Sequence, residues 1–270
     1  TETEGALEPG TDAIDHGLLI AGRDQRHHAA AKPAAAEARA VQQLPLRVRP
    51  NEAARFETFV PGPNREVLQL LSGGSAPPVL WLWGRSGTGK SHLLRAAGAA
   101  TSDRGGVATY IDLQATTAPG LLDGCESLDL VGLDGLDPVA GDADWNAAIF
   151  RLHTLMQDGP GRLLISSTAP PAALRFTLAD LRSRLLAAPV HQLRELDEEG
   201  QMQALEARAA RRGLQLSREA AAYLVHRLPR DMHSLCAVLD RLDEAALVAQ
   251  RRLTVPFLRE VLEAQAPDST

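Results

Sequence analysis

The chain has 270 residues, with 28 basic side chains against 34 acidic ones and a formal charge of −6. That length suits one α/β domain and a smaller companion, and the acidic balance argues against a generic nucleic-acid coat without excluding a local basic patch. Cys125 and Cys236 lie far apart and form no CxxC, which argues against a disulfide scaffold or a zinc site.

The longest apolar run near the N-terminus, Leu18 to Ala21, is too short for a signal peptide or a membrane span. These features point to a reduced, cytoplasmic, soluble protein with no membrane partner. All but two of the basic residues are arginine, and alanine is abundant. Such a bias says little about function. It does make the two surviving lysines, Lys32 and Lys90, places to look for chemistry.

Residues 1–41 are polar and Ala-rich, carry no sustained period and read as a disordered tail. His27-His28 reads there as an exposed pair rather than a metal site. The folded part begins near Gln42. Short apolar runs predict strands over Val79–Trp83, Val107–Leu113, Leu128–Leu133, Arg162–Ser167 and Val190–Leu193. Between them the patterning predicts helices over Ser91–Ala100, Trp145–Gln157 and Ala179–Leu186. This β–α alternation implies a parallel sheet covered by helices over residues 48–196.

After Leu196 the texture changes. Asp197 is placed to cap a helix through Arg211, with Gly213 as its stop. Further helices are expected over Ser217–His226, Met232–Gln250 and Pro256–Ala264, and no strand is expected after Leu193. Residues 197–266 therefore read as a small all-helical domain.

One stretch carries most of the chemistry. Gly84-Arg85-Ser86-Gly87-Thr88-Gly89-Lys90-Ser91 fits G-x-x-x-x-G-K-[ST] without a mismatch. Average residue usage gives that pattern in about 1% of chains this long, and here an apolar strand leads in and a helix leads out. Glycines let backbone N–H groups turn towards phosphate oxygens, and the helix N-terminus adds partial positive charge. Lys90 supplies a compact charge for the β and γ phosphates, and the Ser91 hydroxyl can bind Mg²⁺.

The apolar run before Asp134 places that acid at the carboxyl edge of the sheet, where ligands bind. Its expected role is to hold the Mg²⁺ water shell, as a Walker-B acid does; the bland reading is a strand-end or capping acid. The next position, where ATPases of this kind usually carry a second acid to activate water, is Gly135. Asp137 is expected to point elsewhere. Nucleotide should bind, and intrinsic hydrolysis should be slow.

A P-loop domain followed by a helical lid indicates the AAA+ type, and several stretches resemble its DnaA branch. Phe56-Glu57-Thr58-Phe59-Val60 with Asn64 resembles that group's adenine-side box. Asp134-Gly135-Leu136-Asp137 with Ala140-Gly141-Asp142 and Trp145, then Arg162 to Ser167, resembles its Walker B and sensor 1 regions. Leu181-Arg182-Ser183-Arg184-Leu185 is similar to its arginine-finger box, and Leu228-Pro229-Arg230-Asp231-Met232 to its sensor 2 segment. With Gln250 to Phe257 near its end, the chain resembles the Hda family, the DnaA-related proteins that promote regulatory inactivation of DnaA. The resemblance covers roughly Gln42 to Glu263.

The resemblance implies an adaptor that holds ADP or ATP with Mg²⁺, with Phe59, Val60 and Asn64 at the adenine and Arg230 reading the nucleotide from the lid. Arg184 would enter the ATP site of a neighbouring DnaA as an arginine finger; a surface ion pair is the competing reading, and Arg182 is a weaker candidate. Gln43-Leu44-Pro45-Leu46 stands where Hda carries its peptide for the bacterial sliding clamp, a polar anchor and apolar plugs at extended spacing. DnaA and the DNA polymerase III β clamp are the implied partners, a homodimer is left open, and no direct specific DNA binding is expected. Two departures stand out: Thr168 replaces the usual sensor 1 Asp, and Gly135 replaces the catalytic acid. Rival readings are an AAA+ helicase or clamp loader with its own turnover, and a DnaA-like regulator that binds DNA.

Overall fold

The structure, a computed structural model, describes residues 54–263 apart from Ser75, Thr117, Arg230 and Gln250. The tail through Leu46 and the ends of two expected helices, at Gln250 and Ala264, lie outside the described residues.

Five parallel strands form one sheet: β1 (Val79–Trp83), β2 (Ala108–Asp112), β3 (Leu130–Asp134), β4 (Arg162–Ser167) and β5 (Val190–Gln192). Their order is β2-β3-β4-β1-β5. In register, Trp81 pairs with Ile165 and Val190, and Asp112 with Asp134. The central strands read as continuous apolar runs because both faces are covered. Along β1, Val79 and Trp81 join one core, and Leu80 and Leu82 the other. Full burial of each such side chain contributes about 1.5–3 kcal/mol.

One face carries α1 (Arg65–Ser72) and α2 (Lys90–Asp103), whose Val67, Leu71, Leu93 and Leu94 share the core of Leu80 and Leu82. The other carries α3 (Ala143–Asp158) and α4 (Ala179–Ala187), with Trp145, Ile149, Leu181 and Leu185 packed on Val79 and Trp81. The Asp142 carboxylate caps α3, accepting from the N–H groups of Asp144 and Trp145. The eight-residue α1 was not expected from the sequence, and β2 is one residue shorter at each end than its predicted run.

Four helices follow: α5 (Glu198–Arg211), α6 (Arg218–Arg227), α7 (Met232–Ala249) and α8 (Val255–Glu263). They enclose a core of their own built on Leu205, Leu224, Leu239 and Phe257. Asp197 caps α5 at 2.8 Å from the Gly200 N–H, and Ser217 caps α6 through the Ala220 N–H. Among the described residues no helix is long and apolar enough to cross a membrane.

Candidate functional site: a phosphate loop at the carboxyl edge of the sheet

The loop from Gly84 to Gly89 joins β1 to α2, at the carboxyl end of the sheet. Gly87 has a φ of +80°, a left-handed conformation that a side chain disfavours. A Cβ on it would stand 3.0 Å from the Met232 nitrogen and 3.1 Å from the His233 nitrogen, at the start of α7. The phosphate loop therefore runs directly under the positive end of a lid helix. Gly74 has a similar φ of +75° but open space around it. Gly87→Ala should cost more stability in denaturant unfolding than Gly74→Ala, which carries only the conformational cost of about 1–2 kcal/mol; equal costs would contradict the close approach.

Lys90 opens α2 and is 9% exposed. Its ammonium donates to the carbonyls of Gly84 at 2.7 Å and Arg85 at 2.8 Å. Burial pushes its pKa below the usual lysine range, and Asp134 and Asp137 partly offset that. A buried ammonium satisfied mainly by carbonyl dipoles gains from a full anion, which is what a phosphate supplies. Thr88 steadies the loop, its hydroxyl donating to the Arg85 carbonyl at 3.0 Å. Arg85 and Ser86 are exposed at its tip, where the Arg85 guanidinium pairs with Glu195 at 3.4 Å.

Asp134 ends β3 and is 7% exposed. One carboxylate oxygen accepts from the Ser166 hydroxyl on β4, the other from the Tyr110 hydroxyl on β2. With the Ser91 hydroxyl at the start of α2, the donor set is hard oxygen, which suits Mg²⁺ completed by phosphate and water. No cluster of three or more His, Cys, Asp or Glu able to hold a metal occurs among the described residues.

Gly135 has a φ of +76°, and its N–H donates to the Ser166 hydroxyl at 2.9 Å. A Cβ there would lie 3.0 Å from the Gln114 amide nitrogen. An acid side chain at this position would be strained as well as crowded. The Asp137 carboxylate is taken up by Thr168, accepting from its N–H at 2.9 Å and from its hydroxyl.

The adenine-side residues are placed unequally. Phe59 leans its ring on Gly89, 2.6 Å from where a Cβ would stand, and lies 5.7 Å from the His92 ring. Val60 is half-buried beside it in sequence. Asn64 is buried, with both amide atoms taken by the Arg194 backbone: it donates to the carbonyl at 2.9 Å and accepts from the N–H at 2.7 Å. As placed, Asn64 fastens the segment before β1 to the segment leading into α5. Arg230 lies outside the described residues, as do Gln43, Leu44, Pro45 and Leu46.

Residues 190–262 match the model of the Hda family's lid domain. The described fold is similar to domain III of the Thermotoga maritima replication initiation protein DnaA, at 19% identity and a TM-score of 0.67, covering 79% of this chain and 97% of that one. AMPPCP-bound DnaA from Aquifex aeolicus matches at 21% identity and a TM-score of 0.59, over 71% of this chain and 65% of that one. The Thermotoga maritima RuvB Holliday junction branch migration motor matches at 15% identity and a TM-score of 0.54, over 73% of this chain and 64% of that one. The chain has the fold that these structures share, and its residues 190–262 match an Hda lid.

Arg184 sits on α4, beside the segment that enters β1. Its exposed guanidinium lies 5.0 Å from the Phe150 ring centre. It lines a cavity of about 290 Å³ together with His153 and the Pro77-Pro78-Val79 segment that enters β1. The phosphate loop leaves the other end of β1, roughly 17 Å away at about 3.3 Å per residue. Arg184 therefore lies by the end of β1 opposite the Gly84–Gly89 loop. Tyr110 is the residue at the site that sequence reasoning missed, since nothing local in β2 marks it. Only the cross-strand register brings its hydroxyl to Asp134.

Proposed function

We propose that the chain is a negative regulator of replication initiation. In this reading it is a nucleotide-bound adaptor, with ADP the ligand its resemblance to the Hda family implies. It docks on the DNA polymerase III sliding clamp through Gln43, Leu44, Pro45 and Leu46. It then stimulates hydrolysis of ATP bound to DnaA through Arg184.

The observation that carries the reading is the placement of Arg184. An exposed arginine by the end of β1 opposite the phosphate loop, its guanidinium 5.0 Å from the Phe150 ring centre, supports a role at another molecule's nucleotide rather than at its own. There it would stabilise charge developing on the transferred γ-phosphoryl group. The chain's own site has the parts for binding, from Gly84 to Ser91 with Asp134, but Gly135 supplies no base. Nucleotide held there, with Mg²⁺ between Ser91 and Asp134, would fix the lid against the sheet because α7 starts above Gly87. Arg230 would read the phosphates from that lid.

One feature favours a motor with turnover of its own: the charge of Asp137 reaches Lys90. Its carboxylate is, however, occupied by Thr168. Phosphate release by the isolated protein decides between the two, with little release expected and sustained turnover sinking the adaptor reading. For the tether, replacing Gln43 and Leu44 together by Ala should prevent co-elution with the clamp, whereas persistent co-elution would place the contact elsewhere.

A further inference from the structure

Asp134 has its charge compensated before any cation arrives. The Ser166 hydroxyl donates to Oδ1 and the Tyr110 hydroxyl to Oδ2, and both donors are side chains of neighbouring strands. Tyr110 pairs in register with Gly132, two residues before Asp134 and on the same face of β3. Gly132 presents no side chain there, and Leu94 of α2 packs over it.

A second contact holds the ring in place. The Arg95 guanidinium of α2 lies 4.3 Å from the Tyr110 ring centre and donates to its hydroxyl oxygen at 3.0 Å. A tyrosine phenol carries its proton at neutral pH. It is therefore a fixed donor to the carboxylate. A hydrogen bond to an ionised acceptor is among the stronger ones in a protein, and a hydrated cation that needs the same oxygen must displace it.

We propose that Tyr110 is a positioning residue that competes with the Mg²⁺ water shell for Asp134, so that the site takes nucleotide with little help from the metal. The proposal rests on the nucleotide-binding reading of the phosphate loop. It assigns to Tyr110 the setting of how far Mg²⁺ and nucleotide binding are coupled. Nucleotide would then stay bound on its contacts with the loop and Lys90 whether or not the metal is present.

The test is the affinity of the full chain for ADP, measured once with Mg²⁺ and once with a chelator. Tyr110→Phe keeps the ring under Arg95 and removes the competing hydroxyl together with the hydrogen bond it accepts from Arg95. Wild type should bind with affinities within about twofold in the two conditions. Tyr110→Phe should bind about tenfold tighter with Mg²⁺ than without, the scale of one hydrogen bond to a charged group. Its chelator affinity should stay at the wild-type value. Should Tyr110→Phe not fold, Ser166→Ala frees the other oxygen and should widen the ratio in the same direction. An unchanged ratio in a folded variant overturns the role of Tyr110 and leaves the phosphate loop standing. Wild type that binds ADP in neither condition overturns both.

Discussion

Lys90→Ala is expected to abolish measurable ADP and ATP binding. The ammonium is the one lysine of the described fold, nearly buried and aimed at the carbonyls of Gly84 and Arg85. Those carbonyls cannot neutralise it; a phosphate can. Losing two hydrogen bonds to charged groups, at about 1.5–3 kcal/mol each, weakens binding by roughly 10² to 10⁴-fold. The folded state should survive, because the cradle carbonyls can turn to water once the ammonium is gone. Isothermal titration with either nucleotide checks this, and normal binding by the variant would remove the phosphate-loop assignment.

The second large effect separates binding from stimulation. Arg184→Ala should keep nucleotide and clamp binding while losing the stimulation of ATP hydrolysis on DnaA. An arginine supplied in trans is worth about 10³ to 10⁵ in rate, or about 4–7 kcal/mol at 1.36 kcal/mol per decade. Its contribution to this chain's own stability is small, since an exposed cation over an aromatic ring gives only about 0.5–1 kcal/mol. The thermal midpoint should therefore hardly move. Full stimulation by the variant would shift the finger to another side chain, with Arg182 the first to try.

The central strand Val79–Trp83 was legible because burial on both faces turns it into an unbroken apolar run. The first lid helix was legible through its cap: Asp197 announces α5, and its side chain accepts from the Gly200 N–H; the cap of α6, Ser217, was read as that helix's first residue. The phosphate loop is a local motif whose residues stay adjacent in space, so Gly84 to Ser91 could be read directly. Contacts between distant segments could not. The eight-residue α1 shows only Val67 and Leu71 as a buried pair, too short a pattern to separate from the box before it.

The chemistry around Asp134 shows the same limit. Sequence patterning placed the acid at the end of β3, but the hydroxyls of Tyr110 and Ser166 reach it through strand register. The engagement of Asp137 by Thr168, from the end of β4, was likewise not legible in the sequence. Nor was the bond from the Asn64 amide to Arg194, 130 residues further along the chain.

The most direct measurement is the rate at which ATP bound to DnaA is hydrolysed, with this protein present, in the presence and absence of sliding clamp loaded on DNA. Fast conversion of DnaA-bound ATP to ADP is expected only when clamp, DNA and this protein are together, and it should disappear with Arg184→Ala. Conversion at the same slow rate with and without this protein on loaded clamp would contradict the proposed function.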